Sequence, residues 1–243
     1  MLYLHFKEKE YPLKMKNFYA RHDRLYVAID SVIFGFDGEQ LMLLLIRRNF
    51  EPGKGSWSLM GGFVKKEESV DEAASRILYA LTGLKDIYME QLHCYGDPLR
   101  DPGARTISIA YYALIKVNEY DRERVSRHNA RWFSIQSIPA LVFDHNRMVN
   151  DALEALRQKA KHQPIGFELL PEKFTLPQLK KLYDAIYQKN FDKRNFSKKI
   201  LSMGILERLN EKVKNHSIRP ASLYRFDRKR YKQLLKEGFH FGI

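Results

Sequence analysis

The sequence holds one cysteine, Cys94, in 243 residues. It can form no intramolecular disulfide and no cysteine-built zinc site, which suits the reducing cytoplasm where the protein is expected. Long apolar runs are also missing. Leu41 to Ile46 is the strongest, short enough for a buried strand and far from the roughly 20 residues that span a membrane, so no membrane partner is expected. The opening residues MLYLHFKEKE carry charge where a secretory signal would be apolar, which argues against export. No stretch is of low complexity, and no segment repeats. Hydrophobic residues still make up 44% and aromatic residues 13%, enough for a sizeable core in one large domain or two small ones. Acidic residues are the scarcer charge, 29 against 42 Lys and Arg, for a net charge of +13. The shortage is local. Residues 167–243 hold 18 Lys and Arg against 8 Asp and Glu, which leaves 24 against 21 before them. Such asymmetry points to a basic C-terminal module with a polyanionic partner. A charge run alone also makes a merely solvated surface, so the hydrophobic pattern has to decide between the two.

What is present is organised around Gly61 to Leu84, GGFVKKEESVDEAASRILYALTGL. Val70, Ala73, Ala74, Ile77, Leu78 and Leu81 recur at helical spacing and predict an amphipathic helix. Trp57-Ser58-Leu59-Met60-Gly61-Gly62 leads into it. Together these stretches resemble the Nudix box, whose pattern is Gly, five residues, Glu, seven residues, then Arg-Glu-apolar-x-Glu-Glu-x-Gly-apolar. Gly62, Glu68, Arg76, Leu78 and Gly83-Leu84 fall on that pattern, with Met60 where the family has Pro. The three remaining acidic positions hold Ile77, Ala80 and Leu81. Carboxylates at that spacing would converge on one helix face and hold Mg²⁺. The alkyl groups present cannot. The resemblance implies a Nudix-like α/β/α sandwich around a mixed sheet. The substitutions imply no catalytic residue, no metal, no cofactor and no hydrolase activity. The alternative is an active Nudix hydrolase of ADP-ribose or a nucleotide sugar, with Glu67, Glu68, Asp71 and Glu72 as an improvised metal site.

Tyr26–Phe36 and Gln40–Arg48 predict two strands around an Asp37-Gly38 turn. Further strands are predicted over Ile87–Tyr95, Thr106–Val117 and Arg131–Phe133, and a helix over Asp144–Lys161 with Asp144 as its N-cap. Asp30 is a carboxylate in an apolar strand. It either meets a ligand or is turned to the surface or satisfied by backbone donors. Phe18 and Tyr19 have the character of packing residues, for the next domain or a second subunit. Gln163-Pro164-Ile165-Gly166 reads as a boundary, dividing the chain into residues 1–163 and 164–243.

The tail predicts a helix capped by Thr175, with Leu176, Leu179, Leu182, Tyr183 and Ile186 facing inward. A second helix, Asp192–Met203, buries Phe196, Ile200 and Met203 and turns Arg194, Asn195, Lys198 and Ser202 outward. A hairpin of Ile205–Val213 and Ser222–Asp227 and a last helix, Arg228–Glu237, complete a winged helix-turn-helix. The expected DNA contacts are Thr175, Gln178, Lys193, Arg194, Asn195, Ser197, Lys198 and Lys199, with Lys214, Asn215, His216 and Arg219 on the wing. Arg and Lys read guanine edges and Asn reads adenine, while phosphate contacts supply most of the affinity. The competing readings are a basic tail that binds a protein and an RNA-binding adaptor.

The segments Phe174-Thr175-Leu176-Pro177-Gln178-Leu179 and Asp192-Lys193-Arg194-Asn195-Phe196, behind a degenerate Nudix box, resemble the Nudix-related transcriptional regulators of bacteria. That resemblance implies a homodimer on a palindromic operator in double-stranded DNA, with a small effector in the former catalytic domain. Some members sense ADP-ribose and others sugars, and the chain is most similar to the arabinose-responsive branch. L-Arabinose or a related sugar is therefore the expected effector of this repressor or activator, ahead of ADP-ribose. Trp57 would stack on the sugar, and Asp30, Arg47, Glu68, Asp97 and Arg105 would bond its hydroxyls. ADP-ribose would call instead on Arg47, Arg48, Arg100 and Arg105. Arg76 is expected to pair with a neighbouring acid.

Overall fold

An 11-residue strand, β1 (Tyr26–Phe36), is the axis of the N-terminal sheet. The computed structural model describes residues 19–213 and 220–243, the side chains of 119–121 excepted. Phe18 and the wing residues Lys214, Asn215, His216 and Arg219 lie outside the described residues. Strand β1 is buried from Ala28 onward, its apolar and small residues interrupted by the one carboxylate of Asp30. It turns at Asp37-Gly38 into β2 (Leu41–Arg47), and Gly38 takes the positive φ the turn demands. After β3 (Trp57–Ser58), strand β4 (Met60–Phe63) pairs with the first half of β1, while β2 pairs with its second half. On the other edge β6 (Thr106–Lys116) runs parallel to β1 along its whole length, and β5 (Glu90–Tyr95) lies antiparallel beyond it. Strand β7 (Ala130–Ser134) pairs with β2. The result is a mixed seven-stranded sheet with main order β3-β2-β1-β6-β5.

Helix α1 (Val70–Thr82) covers one face. Ser69 and Glu72 form a capping box, Gly83 ends the helix at φ 72, and Ala73, Ala74, Ile77 and Leu78 are buried. Helix α2 (Glu119–Ser126) has no counterpart in the sequence expectations. Helix α3 (His145–His162) covers the opposite face through Met148, Val149, Ala152 and Leu156. Asp144 stands at its N-cap as expected but makes no capping bond. Its carboxylate is held elsewhere.

The C-terminal elements are α4 (Leu176–Tyr187), α5 (Lys193–Ser202), the antiparallel pair β8 (Leu206–Val213) and β9 (Ala221–Phe226), and α6 (Arg228–Lys236). Thr175 and Asp192 cap α4 and α5. Phe174 and Tyr224 exchange backbone hydrogen bonds of 2.9 and 2.8 Å, tying the hairpin to the start of α4. The Gln163–Gly166 stretch is no open linker. One continuous core runs from Val32, Phe34 and Leu43 through Met148 and Leu156 to Phe167, Leu182 and Phe196. Arg157 on α3 donates from Nε to the Ile186 carbonyl at 3.3 Å, and the Tyr187 hydroxyl donates to the Arg157 carbonyl at 3.2 Å. Burying each Leu, Ile or Phe of that seam is worth about 1.5–3 kcal/mol, so the contact between α3 and α4 is part of the core.

Candidate effector pocket and nucleic-acid interface

The odd carboxylate of β1 is the floor of a cavity. Asp30 is 5% exposed and pairs across the strands with Gly61. A Cβ on Gly61 would stand 2.4 Å from Asp30 Oδ1, so glycine is what makes room for the carboxylate. Asp30 Oδ2 accepts from Ser108 Oγ at 2.6 Å and from Arg100 Nη2 at 3.4 Å. Arg100, itself 8% exposed, donates Nε and Nη2 to the two oxygens of Asp144 at 2.9 and 2.8 Å. This fork-on-carboxylate geometry is why Asp144 does not cap α3. Burial works against the Arg100 charge, but Asp144 and Asp30 outweigh it and the net shift of its pKa is upward.

His145 completes the cluster at 2% exposure. Its Nδ1 accepts from the Leu59 amide at 3.2 Å, so its proton sits on Nε2, 3.5 Å from Asp30 Oδ1. Burial pushes the imidazole pKa down, and the carboxylates of Asp30 and Asp144 only partly oppose this. Neutral His145 at the ordinary pH follows. Above the floor, Arg48 donates Nε to the Pro52 carbonyl at 2.9 Å, and its guanidinium lies 4.3 Å from the Phe50 ring centre and 5.2 Å from that of Phe143. Burial lowers the Arg48 pKa, with Asp101 and Asp30 opposing. The cavity measures about 260 Å³ and is lined by three carboxylates, Asp30, Glu51 and Asp101, by Arg48, Arg100 and His145, and by Phe50, Phe63 and Phe143. Phe50 and Phe63 remain 57% and 54% exposed at its mouth. Aromatic walls beside guanidiniums and carboxylates suit a polar ligand that carries a planar ring, with Arg48 the guanidinium not paired to a carboxylate in the cluster.

Of the six residues expected at an effector, only Asp30 lines this cavity. Arg47 and Trp57 face each other across β2 and β3 and line a different one. Glu68 accepts from Arg76 Nε at 2.7 Å and from the Lys65 amide at 2.8 Å, and the Arg76 contact holds its carboxyl down at about 2. Arg76 thus has the acidic neighbour the sequence suggested. Asp97 is exposed and accepts from the Leu99 amide, and Arg105 donates weakly to the carbonyls of Asp97 and Thr106 at 3.4 and 3.5 Å. The structure therefore does not assemble the six into one site.

Of the four acids offered as an improvised metal site, Glu68, Asp71 and Glu72 are engaged within the protein, while Glu67 is exposed. Asp71 accepts from the Tyr111 hydroxyl, and Glu72 belongs to the capping box. Ile77 is buried in the core, where a methyl on Gly62 would meet it at 3.1 Å. Ala80 is exposed and Leu81 half-buried. Sequence reasoning weighed Arg48 and Arg100 only for ADP-ribose and missed Phe50, Phe143 and His145. The clue to His145 was its place at the start of a helix whose cap position holds an acid.

On the winged helix, Lys193, Arg194, Asn195, Lys198 and Lys199 are exposed along α5, while Phe196 and Ile200 anchor its other side. None of those four cations has a carboxylate partner among the described residues. Ser197 is half-buried, with its hydroxyl donating to the Lys193 carbonyl at 2.7 Å. Thr175 is 2% exposed and spends its hydroxyl in the capping box with Gln178, whose side-chain oxygen accepts from the Thr175 amide at 2.8 Å. Those two residues set the start of α4.

Comparison with known proteins bears on both halves. A family model described as a NUDIX domain matches residues 24–152, and one described as the NrtR DNA-binding winged helix domain matches residues 166–226. The ADPR responsive transcriptional repressor NtrR of Acinetobacter baylyi is 31% identical over 204 residues, which cover 82% of this chain and 81% of that protein. The ADP-ribose pyrophosphatase of Methanocaldococcus jannaschii is 33% identical over 128 residues, 53% of this chain and 75% of that one. The crystal structure of Shewanella oneidensis NrtR complexed with a 27mer DNA is 26% identical and superposes with a TM-score of 0.69, covering 88% of this chain and 97% of that chain.

Proposed function

This chain belongs to the NrtR-type DNA-binding transcriptional regulators, a NUDIX domain followed by a winged helix domain, and from that membership we propose that its effector is ADP-ribose. The observation that carries the proposal is the pocket itself. Arg48 and Arg100 supply cationic charge for a diphosphate, and Phe50, Phe63 and Phe143 supply rings against which a base can stack. A relative of 31% identity is named for its response to ADP-ribose. Neither protein relative reported above is named for a sugar, and L-arabinose, being neutral and without a base, would leave both the guanidiniums and the aromatic wall unused.

The NUDIX domain binds without hydrolysing. Ile77, Ala80 and Leu81 offer no oxygen to a metal, and Glu68, Asp71 and Glu72 are held by Arg76, Tyr111 and the Ser69 capping box. Two copies of the chain present paired α5 helices to successive major grooves of a palindromic operator. Effector binding acts through α3. Its first turn touches the pocket at His145, and its last turns pack on α4 of the winged helix. An anion drawing on Arg100 competes with Asp144 for the same guanidinium and so shifts the start of that helix. Only a difference in ligand affinity between the DNA-competent and incompetent arrangements moves the equilibrium.

Isothermal titration of the full chain with ADP-ribose and with L-arabinose tests the reading. Saturable heat with ADP-ribose that Arg48→Ala weakens at least tenfold is the expected result. Binding of arabinose alone, or Mg²⁺-dependent release of AMP from ADP-ribose, would refute it.

A further inference from the structure

A second cavity, of about 540 Å³, lies at the β2–β7 edge of the sheet. It contains the two residues that the effector pocket left aside, Arg47 and Trp57, together with Arg131, Arg122 and Asn129. Their arrangement follows from strand register. Trp57 stands opposite Arg47 in the β2–β3 pair, and Arg131 stands opposite Leu45 in the β2–β7 pair. Leu45 and Arg47 share a face because side chains alternate along a strand, so Arg131 and Arg47 are diagonal neighbours on that face, at about 7–8 Å.

Two like charges at that spacing repel each other, and the protein does little to offset it. Arg47 gives its Nε to the Gly55 carbonyl at 3.0 Å, and Arg131 lies with its guanidinium 5.5 Å from the Phe133 ring centre. Among the described residues neither meets a carboxylate, and none of the described lining residues is Asp or Glu. The third cation, Arg122, is tied to Asp37 at 3.2 Å. Trp57 is half-buried, braced edge-on by Phe133 at 4.7 Å between ring centres. A braced indole beside two unneutralised guanidiniums is a stacking platform next to an anion cradle. The concavity and volume fall within the roughly 300–1,000 Å³ of small-ligand sites, which favours a free small molecule over a duplex.

We propose that this cavity is a second ligand site, separate from the effector pocket, that takes a nucleoside phosphate: Trp57 stacks on the base, and Arg47 and Arg131 hold the phosphate. It shares no lining residue with the pocket of Arg48 and Asp30. Occupancy of one therefore leaves the other open. The test is calorimetric titration of AMP into the wild-type chain, the Arg47→Ala/Arg131→Ala double variant, Trp57→Leu and Arg48→Ala, each first checked by thermal melting. The expected result is saturable AMP binding to the wild type and to Arg48→Ala, weakened at least tenfold in the double variant and in Trp57→Leu. Titration of ADP-ribose into the double variant separates the two sites, since that binding stays intact whether or not AMP binds here. AMP binding that survives in the double variant, or that disappears only in Arg48→Ala, overturns the proposal. So does a wild type that binds no AMP while the double variant loses affinity for random-sequence duplex, because the face would then belong to DNA.

Discussion

Removing the guanidinium at the centre of the effector pocket gives the sharpest energetic test. Arg100→Ala deletes a cation whose side chain is 3% exposed and which bridges Asp30 and Asp144. Breaking a buried ion pair from one side costs about 3–5 kcal/mol, because the remaining charge stays buried without its partner. Three features place this case at the low end. Asp30 keeps the Ser108 hydroxyl at 2.6 Å, and the Asp144 side chain is 22% exposed and can recover some hydration. Asp144 can also turn its side chain to the first turn of α3, which it does not cap while Arg100 holds it. A loss of about 3 kcal/mol, at about 2–4 °C per kcal/mol for a chain of this size, lowers the melting temperature by roughly 6–12 °C. Differential scanning calorimetry at neutral pH measures it. The combined variant Asp30→Asn/Arg100→Met/Asp144→Asn, which removes both acids with the cation, should recover most of the loss. A single Arg100→Ala variant within about 2 °C of the wild type would refute the reasoning, since it would mean that the carboxylates do not depend on Arg100.

Other variants probe the remaining parts of the account. His145 is neutral and buried, with a folded pKa below its ordinary value, so the unfolded chain binds a proton that the folded chain does not. Stability should fall as pH drops below about 6.5, the unfolded value, and His145→Gln should flatten that slope in melts from pH 7.5 to 5.5. Ile77→Glu places a carboxylate in the core and should cost on the order of 3 kcal/mol without producing Mg²⁺-dependent hydrolysis, read by melting and by an ADP-ribose assay. Gly61→Ala sets a methyl 2.4 Å from Asp30 Oδ1 and should weaken ADP-ribose binding in titration by displacing the pocket floor. On α5, Asn195→Ala should cost about 1–3 kcal/mol against operator but little against random duplex, while Lys198→Ala should lower the salt slope of binding by about 1.

The sequence made the elements with strong local signals readable. Helix α1 announced itself through its apolar stripe, and α4 through its Thr175 cap. Helix α2 left no such trace. Its residues, EYDRERVS, carry no apolar stripe, and Val125 is its single buried anchor among the side chains described. The winged helix could be read because its helices are amphipathic and its charge is lopsided. The pocket could not. Asp30 stood out as a charge in an apolar strand, but its partners Arg100 and His145 arrive from 70 and 115 positions later, through a loop and a helix start that periodicity does not place. Arg47 and Arg48 illustrate the limit most plainly. They are adjacent in sequence, yet successive side chains at a strand end point opposite ways, and the two line different cavities. Trp57 was read as a sugar platform because its cross-strand partner was unknown.

The account rests on the claim that one chain couples an ADP-ribose pocket to a duplex-binding helix. The most direct measurement is a mobility shift of the full-length protein on a palindromic duplex selected by the protein itself from random sequence, with and without ADP-ribose at fixed salt. The account predicts a sequence-specific shift that ADP-ribose reverses, that L-arabinose leaves unchanged, and that Arg48→Ala renders insensitive to ADP-ribose. A specific shift that ADP-ribose leaves unchanged while arabinose abolishes it would contradict the account.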